Sequence, residues 1–127
     1  YGEETGKKNF DRDGDNVSRS QAVLLLGLKG AKIAGLDCGL CGGQCKDMKL
    51  KPVPGKDFIG PICAWRIMDL GIALGSAAKM ASILNADNRI MYRAGLVAKR
   101  IGLMDAEVVV AIPISAYGKN IYFDREH

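Results

Sequence analysis

The chain has 127 residues, a formal net charge of +4, an apolar share of 48% and a charged share of 25%. These values are typical of a single ordinary globular domain, here predicted over residues 1–127. Scattered basic residues and few aromatic ones argue against a nucleic-acid-binding face, and no apolar window is long enough to predict a membrane span.

The N-terminal part contains one clear apolar element. Residues 1–20 are polar and have no apolar period, which predicts a loop or mobile lead-in. The run Ala22–Leu28 is continuously apolar and predicts a strand buried on both faces. Because the chain begins with Tyr1 rather than methionine, we expect a further N-terminal piece.

All cysteines lie within residues 35–63, which we predict to be a cluster-binding region. Three of them share the loop sequence CGLCGGQC and the fourth follows at a distance, giving the spacing C-x2-C-x3-C-x17-C. A [4Fe–4S] cluster needs four thiolates, commonly three from one loop and one from a distant segment. The predicted metal ligands are Cys38, Cys41, Cys45 and Cys63.

The residues around these cysteines suit the same chemistry. Glycine permits positive φ angles and lets backbone N–H groups reach the cluster sulfurs, a role we assign to Gly39, Gly42 and Gly43. Trp65 and Ile62 are expected to shield the cluster. Zinc is the main alternative, but it prefers paired C-x2-C knuckles or mixed Cys/His ligands. Reduced or redox-active thiols are a third interpretation.

The residues after the cysteine loop predict a polar, irregular connector at 46–56, followed by two helices. The first runs from Pro61 to about Leu84, with Cys63 in its first turn, and is apolar nearly all round. Such a helix is buried in a core or an interface, so residues 61–84 are also a candidate surface for a homo-oligomer. The second runs from Arg89 to Ile101, capped by Asp87 or Asn88. Its predicted buried stripe is Ile90, Ala94, Val97 and Ile101.

The C-terminal part supplies the remaining strands. Glu107–Pro113 predicts a buried strand that ends at its proline, and residues 121–124 predict a short edge strand. The fold class is therefore α/β: a small, mostly buried sheet with two main helices and a glycine-rich cysteine loop, the helix-helix-strand core lying in residues 61–127. Two predicted strands are few for a stable sheet, so we expect a further strand from either the C-terminal tail or residues before Tyr1.

These motifs resemble a known family. The CGxCGxxC pattern with Cys63 is similar to the cluster motif of small [4Fe–4S] domains in anaerobic electron-transfer and corrinoid iron–sulfur proteins. More closely, the chain resembles an uncharacterised family of ferredoxin domain-containing proteins from anaerobic bacteria and archaea. The matching stretches are residues 37–42, 60–63, 69–77, 87–92 and 112–121. The resemblance implies cluster binding and leaves the activity open. A fainter likeness, over residues 97–113, is to flavin nitroreductases.

Three functions compete. The leading one is a cytoplasmic one-electron iron–sulfur protein that serves a redox partner protein. The second is an oxidoreductase in which the cluster feeds FMN, with Ser115, Lys119 and Asn120 as candidate phosphate-binding residues beside a glycine. Arg89 and Arg93, four residues apart on the predicted helix, are further candidates for that phosphate. The third is a metal-stabilised interaction module of a larger complex.

Overall fold

The computed structural model describes residues 1–29, 33–47 and 53–124, which form a mixed α/β fold around a small antiparallel sheet. The helices are α1 (Gly2–Thr5), α2 (Lys8–Ser18), α3 (Ala64–Ile83) and α4 (Tyr92–Arg100), with a 3-10 turn at Cys45–Asp47. The strands are β1 (Ala22–Leu28), β2 (Val53–Pro54), β3 (Ile59–Gly60), β4 (Asp87–Asn88) and β5 (Val108–Ser115). The predicted α/β class is confirmed.

The main sheet has the order β1-β5-β4 and carries helices on both faces. Alternate side chains of a strand point to opposite faces, so β5 contributes to two clusters. Ile112 packs with Leu70 and Leu74 of α3, whereas Val109 packs with Ala98 of α4. The described chain is therefore layered, with α3 on one side of the sheet and α4 on the other.

Most of the first twenty residues are helical, in α1 and α2, so the predicted loop or mobile lead-in is wrong. α2 places Phe10 and Val17 two helical turns apart, and Val17 packs against the cluster of Met91, Ile121 and Tyr122. The remainder of the helix is polar, and its buried residues are Asp13 and Asn16. Two apolar positions on a polar helix are too few to produce a recognisable apolar period.

β1 has the predicted bounds but not the predicted burial. It pairs with β5 along its whole length, from Ala22 opposite Ile114 to Leu28 opposite Val108. It is nevertheless an edge strand of the described sheet, and Val23 and Leu24 are exposed. An unbroken apolar run does not distinguish a central strand from an edge strand.

The two main helices are present with shifted ends. α3 begins at Ala64 rather than Pro61, so Cys63 is its N-cap and not part of its first turn. α4 begins at Tyr92 rather than Arg89, because Met91 is still extended and exchanges backbone hydrogen bonds with Ala111 of β5. The predicted cap residues Asp87 and Asn88 instead form β4.

The shift of α4 also changes its buried face. Ile90 and Ile101, at the two ends of the predicted stripe, are exposed. The buried residues of the helix are Gly95, Leu96 and Ala98. This face is fixed by contact with β5 rather than by the largest apolar side chains.

The predicted proline stop in the last strand is wrong. β5 continues through Pro113 to Ser115, and Pro113 is opposite Val23 of β1. Successive residues of a strand direct their backbone groups to opposite neighbours, so residues two apart face the same one. Ala111, two residues before Pro113, bonds to Met91 on the β4 side. The missing N–H of Pro113 therefore falls on that side, where pairing lapses between Asn88 and Met91.

Two smaller predictions also fail. Residues 121–124 form a turn rather than an edge strand, and Ile121 and Tyr122 pack into the core. The connector at 46–56, predicted to be irregular, contains β2, which pairs with β3. Residues 48–52 of that connector lie outside the described residues.

A buried ion pair joins α2 to α4 and should make stability depend on pH. Burial by itself would raise the pKa of Asp13, but hydrogen bonds and charge from Arg93 and Arg12 outweigh it and hold the pKa below its ordinary value of 3.8. Arg93 lies 2.8 Å from Asp13 across the helix interface. A carboxyl group with a lowered pKa stabilises the fold above its unfolded-state pKa, and that contribution disappears as the pH falls through the folded-state pKa.

We therefore expect Asp13→Asn to lower the free energy of unfolding at pH 7 by about 2 kcal/mol, because two partly exposed arginines lose a charged hydrogen-bond acceptor. The difference from the wild type should shrink below pH 3.8. Urea unfolding at neutral and acidic pH measures both quantities. Asp15→Asn on the same helix is the control, since Asp15 and Arg19 form an exposed pair at 3.6 Å that is worth less than about 1 kcal/mol. Equal losses in the two variants would contradict the assignment.

Candidate metal centre

The first three cysteines lie on an exposed loop closed by reciprocal hydrogen bonds. The backbone N–H of Asp37 donates to Sγ of Cys45 at 3.2 Å, and the N–H of Cys45 donates back to the Asp37 carboxylate. Inside this ring, the N–H of Gly42 donates to the carbonyl of Gly39 at 2.9 Å. These bonds hold both ends of the cysteine motif together.

Positive φ angles produce the tight path of the loop. Gly39 and Gly42 adopt φ values of 69° and 89°, as predicted for glycines at these positions. Asp37 also has a positive φ, of 47°, and its side chain makes the bond that closes the loop. Gly43, predicted to share this role, is not among the described residues with positive φ.

Trp65 connects the loop to α3. Its indole Nε1–H donates to Sγ of Cys38 at 3.1 Å. Trp65 is in the first turn of the helix, two residues after Cys63. The contact therefore brings the cysteine loop to the same end of α3 as the fourth cysteine.

Cys63 is buried at the N-cap of α3, with 4% of its surface exposed. A backbone hydrogen bond from Ala34 lowers the pKa of its thiol most strongly. Burial opposes that effect, while backbone N–H groups of Trp65 and Arg66 and the charge of Arg66 add to it. The position thus favours the thiolate, which is the form that binds a metal.

The donor set fits an iron–sulfur cluster. No disulfide joins the four cysteines. Three of their sulfurs are near N–H donors, from Asp37, Trp65 and Ala34, and such hydrogen bonds to sulfur are typical of cluster sites. The four thiols are not arranged around a common centre. Across the parts of the chain that the structure describes, no group of three or more Cys, His, Asp or Glu side chains is placed to hold a metal ion.

Two contributors to this site were not identified from the sequence. The sequence contains an indication of the role of Asp37, because an acidic residue directly before a cysteine can accept a hydrogen bond from a backbone N–H of its own loop. It contains none for Ala34, because its contribution is a backbone N–H whose position depends on the folded chain.

The candidate flavin residues lie near the C-terminal end of the sequence, and two of them contact neighbours in the C-terminal tail. Ser115 is the buried last residue of β5, and its Oγ has no hydrogen-bond partner among the described residues. Lys119 forms an ion pair with Asp124 at 2.7 Å. Asn120 accepts a hydrogen bond from the N–H of Tyr122 at 3.0 Å. These contacts organise the C-terminal tail.

The two candidate arginines do not share a helix face as predicted. Arg89 precedes α4 and donates to the carbonyl of Tyr122 at 3.2 Å. Arg93 is within α4 and binds Asp13. The two guanidinium groups thus bind different neighbours, and the prediction that they share one helix face is wrong.

This arrangement can be compared with known proteins. Residues 59–125 match the family model described as "Uncharacterized protein containing a ferredoxin domain (DUF2148)". The chain belongs to this family, which confirms the resemblance predicted from its motifs. The matched residues include Cys63 but not the CGLCGGQC loop. Membership therefore supports an iron–sulfur protein and leaves the type of cluster open.

One relative extends over nearly the whole chain. It is an uncharacterized protein of Archaeoglobus fulgidus, 50% identical over 123 residues, which are 96% of this chain and 67% of the relative. No solved structure matches the chain. Among the described residues, no helix combines the length and apolar character needed to cross a membrane.

Proposed function

We propose that the protein binds one [4Fe–4S] cluster and transfers electrons to or from a redox partner protein. The ligands in this proposal are Cys38, Cys41, Cys45 and Cys63. The observation that carries it is the hydrogen bond from Trp65 to Cys38, which holds the cysteine loop against the end of α3 where Cys63 lies. The ferredoxin-domain family and the all-thiol donor set support the same function.

The chain's own groups have defined tasks in this proposal. The bound cluster would supply one-electron chemistry. The N-terminus of α3 stabilises negative charge at Cys63 through the helix dipole. Backbone N–H groups around Gly39, Gly42 and Gly43, together with the indole of Trp65, would set the reduction potential. Ile62 would help to exclude water. A reducing, cytoplasmic location would keep the ligand thiols available.

Trp65 offers a direct test, because it is the single tryptophan of the chain and already contacts a ligand sulfur. We expect its fluorescence to fall as iron and sulfide are added anaerobically, in step with absorption near ~400 nm, a region where clusters absorb. Cys38→Ser should abolish both changes. Trp65→Phe should still assemble the cluster but with a more negative reduction potential, since one N–H donor to sulfur is lost.

Two results would contradict this proposal. Fluorescence that stays constant while the absorption develops would place the cluster away from Trp65. An unchanged potential in Trp65→Phe would show that the indole does not donate to a ligand sulfur in the loaded protein. Redox titration followed by EPR measures that potential.

The alternative proposal is a flavin-dependent oxidoreductase in which the cluster feeds FMN. Its supporting observation is Ser115, whose buried Oγ lacks a partner within the described residues. Lys119 and Asn120 would have to release Asp124 and Tyr122 to reach a phosphate. Flavin fluorescence released by denaturing protein purified from FMN-supplemented cells would support this function, and its absence would exclude it. Self-association through residues 61–84 is a further prediction from the sequence.

A further inference from the structure

The side of α3 that points away from the sheet carries exposed apolar side chains along its length, interrupted by Lys79. The inward side is formed by Leu70, Leu74 and Ala81, which are buried. On the opposite side, Ile72 is 69% exposed and Ile83 is 60% exposed. A single exposed apolar side chain is ordinary on a protein surface, but a row of several along one helix face indicates an interaction site.

This outward stripe follows the spacing of helix-packing positions. It comprises Met68, Ile72, Gly75, Lys79 and Ile83, which are separated by three or four residues. Ser76 is adjacent to Gly75 at its centre. A Cβ atom built on Gly75 or Gly71 would meet nothing within 4 Å, so another backbone has room to approach there.

The stripe is self-complementary when a second copy runs in the opposite direction. Met68 and Ile83 are equally far from the midpoint between Gly75 and Ser76, as are Ile72 and Lys79. A two-fold axis at this midpoint therefore places Met68 of one copy opposite Ile83 of the other, so that the apolar ends of the two stripes meet. Gly75 lies at the crossing, where side chains would otherwise hold the helices apart.

The charges on α3 favour the same antiparallel register. Asp69 and Lys79 are exposed near opposite ends of the helix. In the antiparallel pair, Lys79 of one copy lies within one turn of Asp69 of the other. In a parallel, in-register pair the same two residues would be ten positions apart, about 15 Å along the axis. A lysine within an apolar stripe costs stability but selects a register that gives it an anion.

We propose that two copies of this chain associate through the outward faces of α3, packed antiparallel around Gly75. The proposal is argued from the exposed side chains of α3 and does not use cluster binding. One helix pair is smaller than a standard interface of about 800 Å² per partner, so the dimer should form in a concentration-dependent manner.

Sedimentation equilibrium of the purified chain in reductant, from about 1 µM to about 1 mM, should show a monomer–dimer equilibrium. Reductant excludes dimers linked through exposed cysteines. Ile83→Glu should raise the dissociation constant by about tenfold or more, because it places a carboxylate against Met68 of the other copy, beside Asp69, at both ends of the contact. Ile101→Glu is the matched control, since Ile101 is 66% exposed at the end of α4. Circular dichroism would confirm that both variants fold.

A charge exchange tests the register. Asp69→Lys and Lys79→Asp should each weaken the dimer, and the double variant should recover part of the loss through the exchanged pair. A chain that stays monomeric throughout the range would overturn the proposal, as would equal effects of Ile83→Glu and Ile101→Glu. Dimers that are sensitive to Ile83→Glu but show no recovery in the double variant would overturn the antiparallel arrangement.

Discussion

Replacing Gly95 with alanine is expected to lower the free energy of unfolding by about 3 kcal/mol, at the upper end of overpacking effects. A Cβ atom at this position would lie 2.3 Å from the carbonyl oxygen of Val109 and 2.5 Å from Cα of Val110. Both are backbone atoms of the central strand β5, so no side-chain rotation relieves the clash. α4 would have to move away from the sheet, and the contact of Ala98 with Val109 would be lost.

Gly14→Ala is the matched control for this variant. Gly14 is also inside a helix, α2, but a Cβ atom there would meet nothing within 4 Å. Alanine should therefore raise the free energy of unfolding by up to about 1 kcal/mol through helix propensity alone. Urea unfolding of both variants gives the comparison. Effects of the same sign and size would contradict the close approach of α4 to β5.

Replacing Cys63 with alanine is expected to remove the cluster and also to destabilise the protein before any iron is added. The buried thiol accepts a backbone hydrogen bond from Ala34, so its removal leaves that donor without a partner. An unsatisfied buried donor costs about 1–3 kcal/mol. Cys63 thus joins the cysteine loop to the start of α3 independently of metal.

Cys41→Ala separates the two effects. Cys41 is exposed on the loop, so its replacement should abolish cluster assembly while the iron-free protein melts close to the wild type. Thermal melts of both variants with and without iron and sulfide provide the test. A Cys63→Ala variant that loses only its colour, with an iron-free melt like that of Cys41→Ala, would contradict the structural role of Cys63.

The sequence predicts best those features that rest on strong local patterns. The apolar runs locate α3, β1 and β5, and the glycines at 39 and 42 adopt the positive φ angles that their loop requires. In each case, a few neighbouring residues determine the conformation.

The features that it misses depend on contacts between distant residues. α2 is polar, and one of the contacts that hold it is the pairing of Asp13 with Arg93, eighty positions away. Pro113 is accommodated because the strand on its unsatisfied side is interrupted, which requires knowledge of the strand order. From the sequence, Gly95 is simply a weak helix former. In the structure, its lack of a side chain lets α4 pack closely against β5. Local pattern contains none of this information.

Iron and acid-labile sulfide, measured on protein purified and reconstituted anaerobically, test the central proposal most directly. We predict about four iron and four sulfide per chain, an EPR signal after reduction, and loss of both in each of the four single cysteine variants. Cys38→Ser, Cys41→Ser and Cys45→Ser report on the loop, and Cys63→Ser reports on α3. A colourless protein that contains zinc and no sulfide would contradict the proposal.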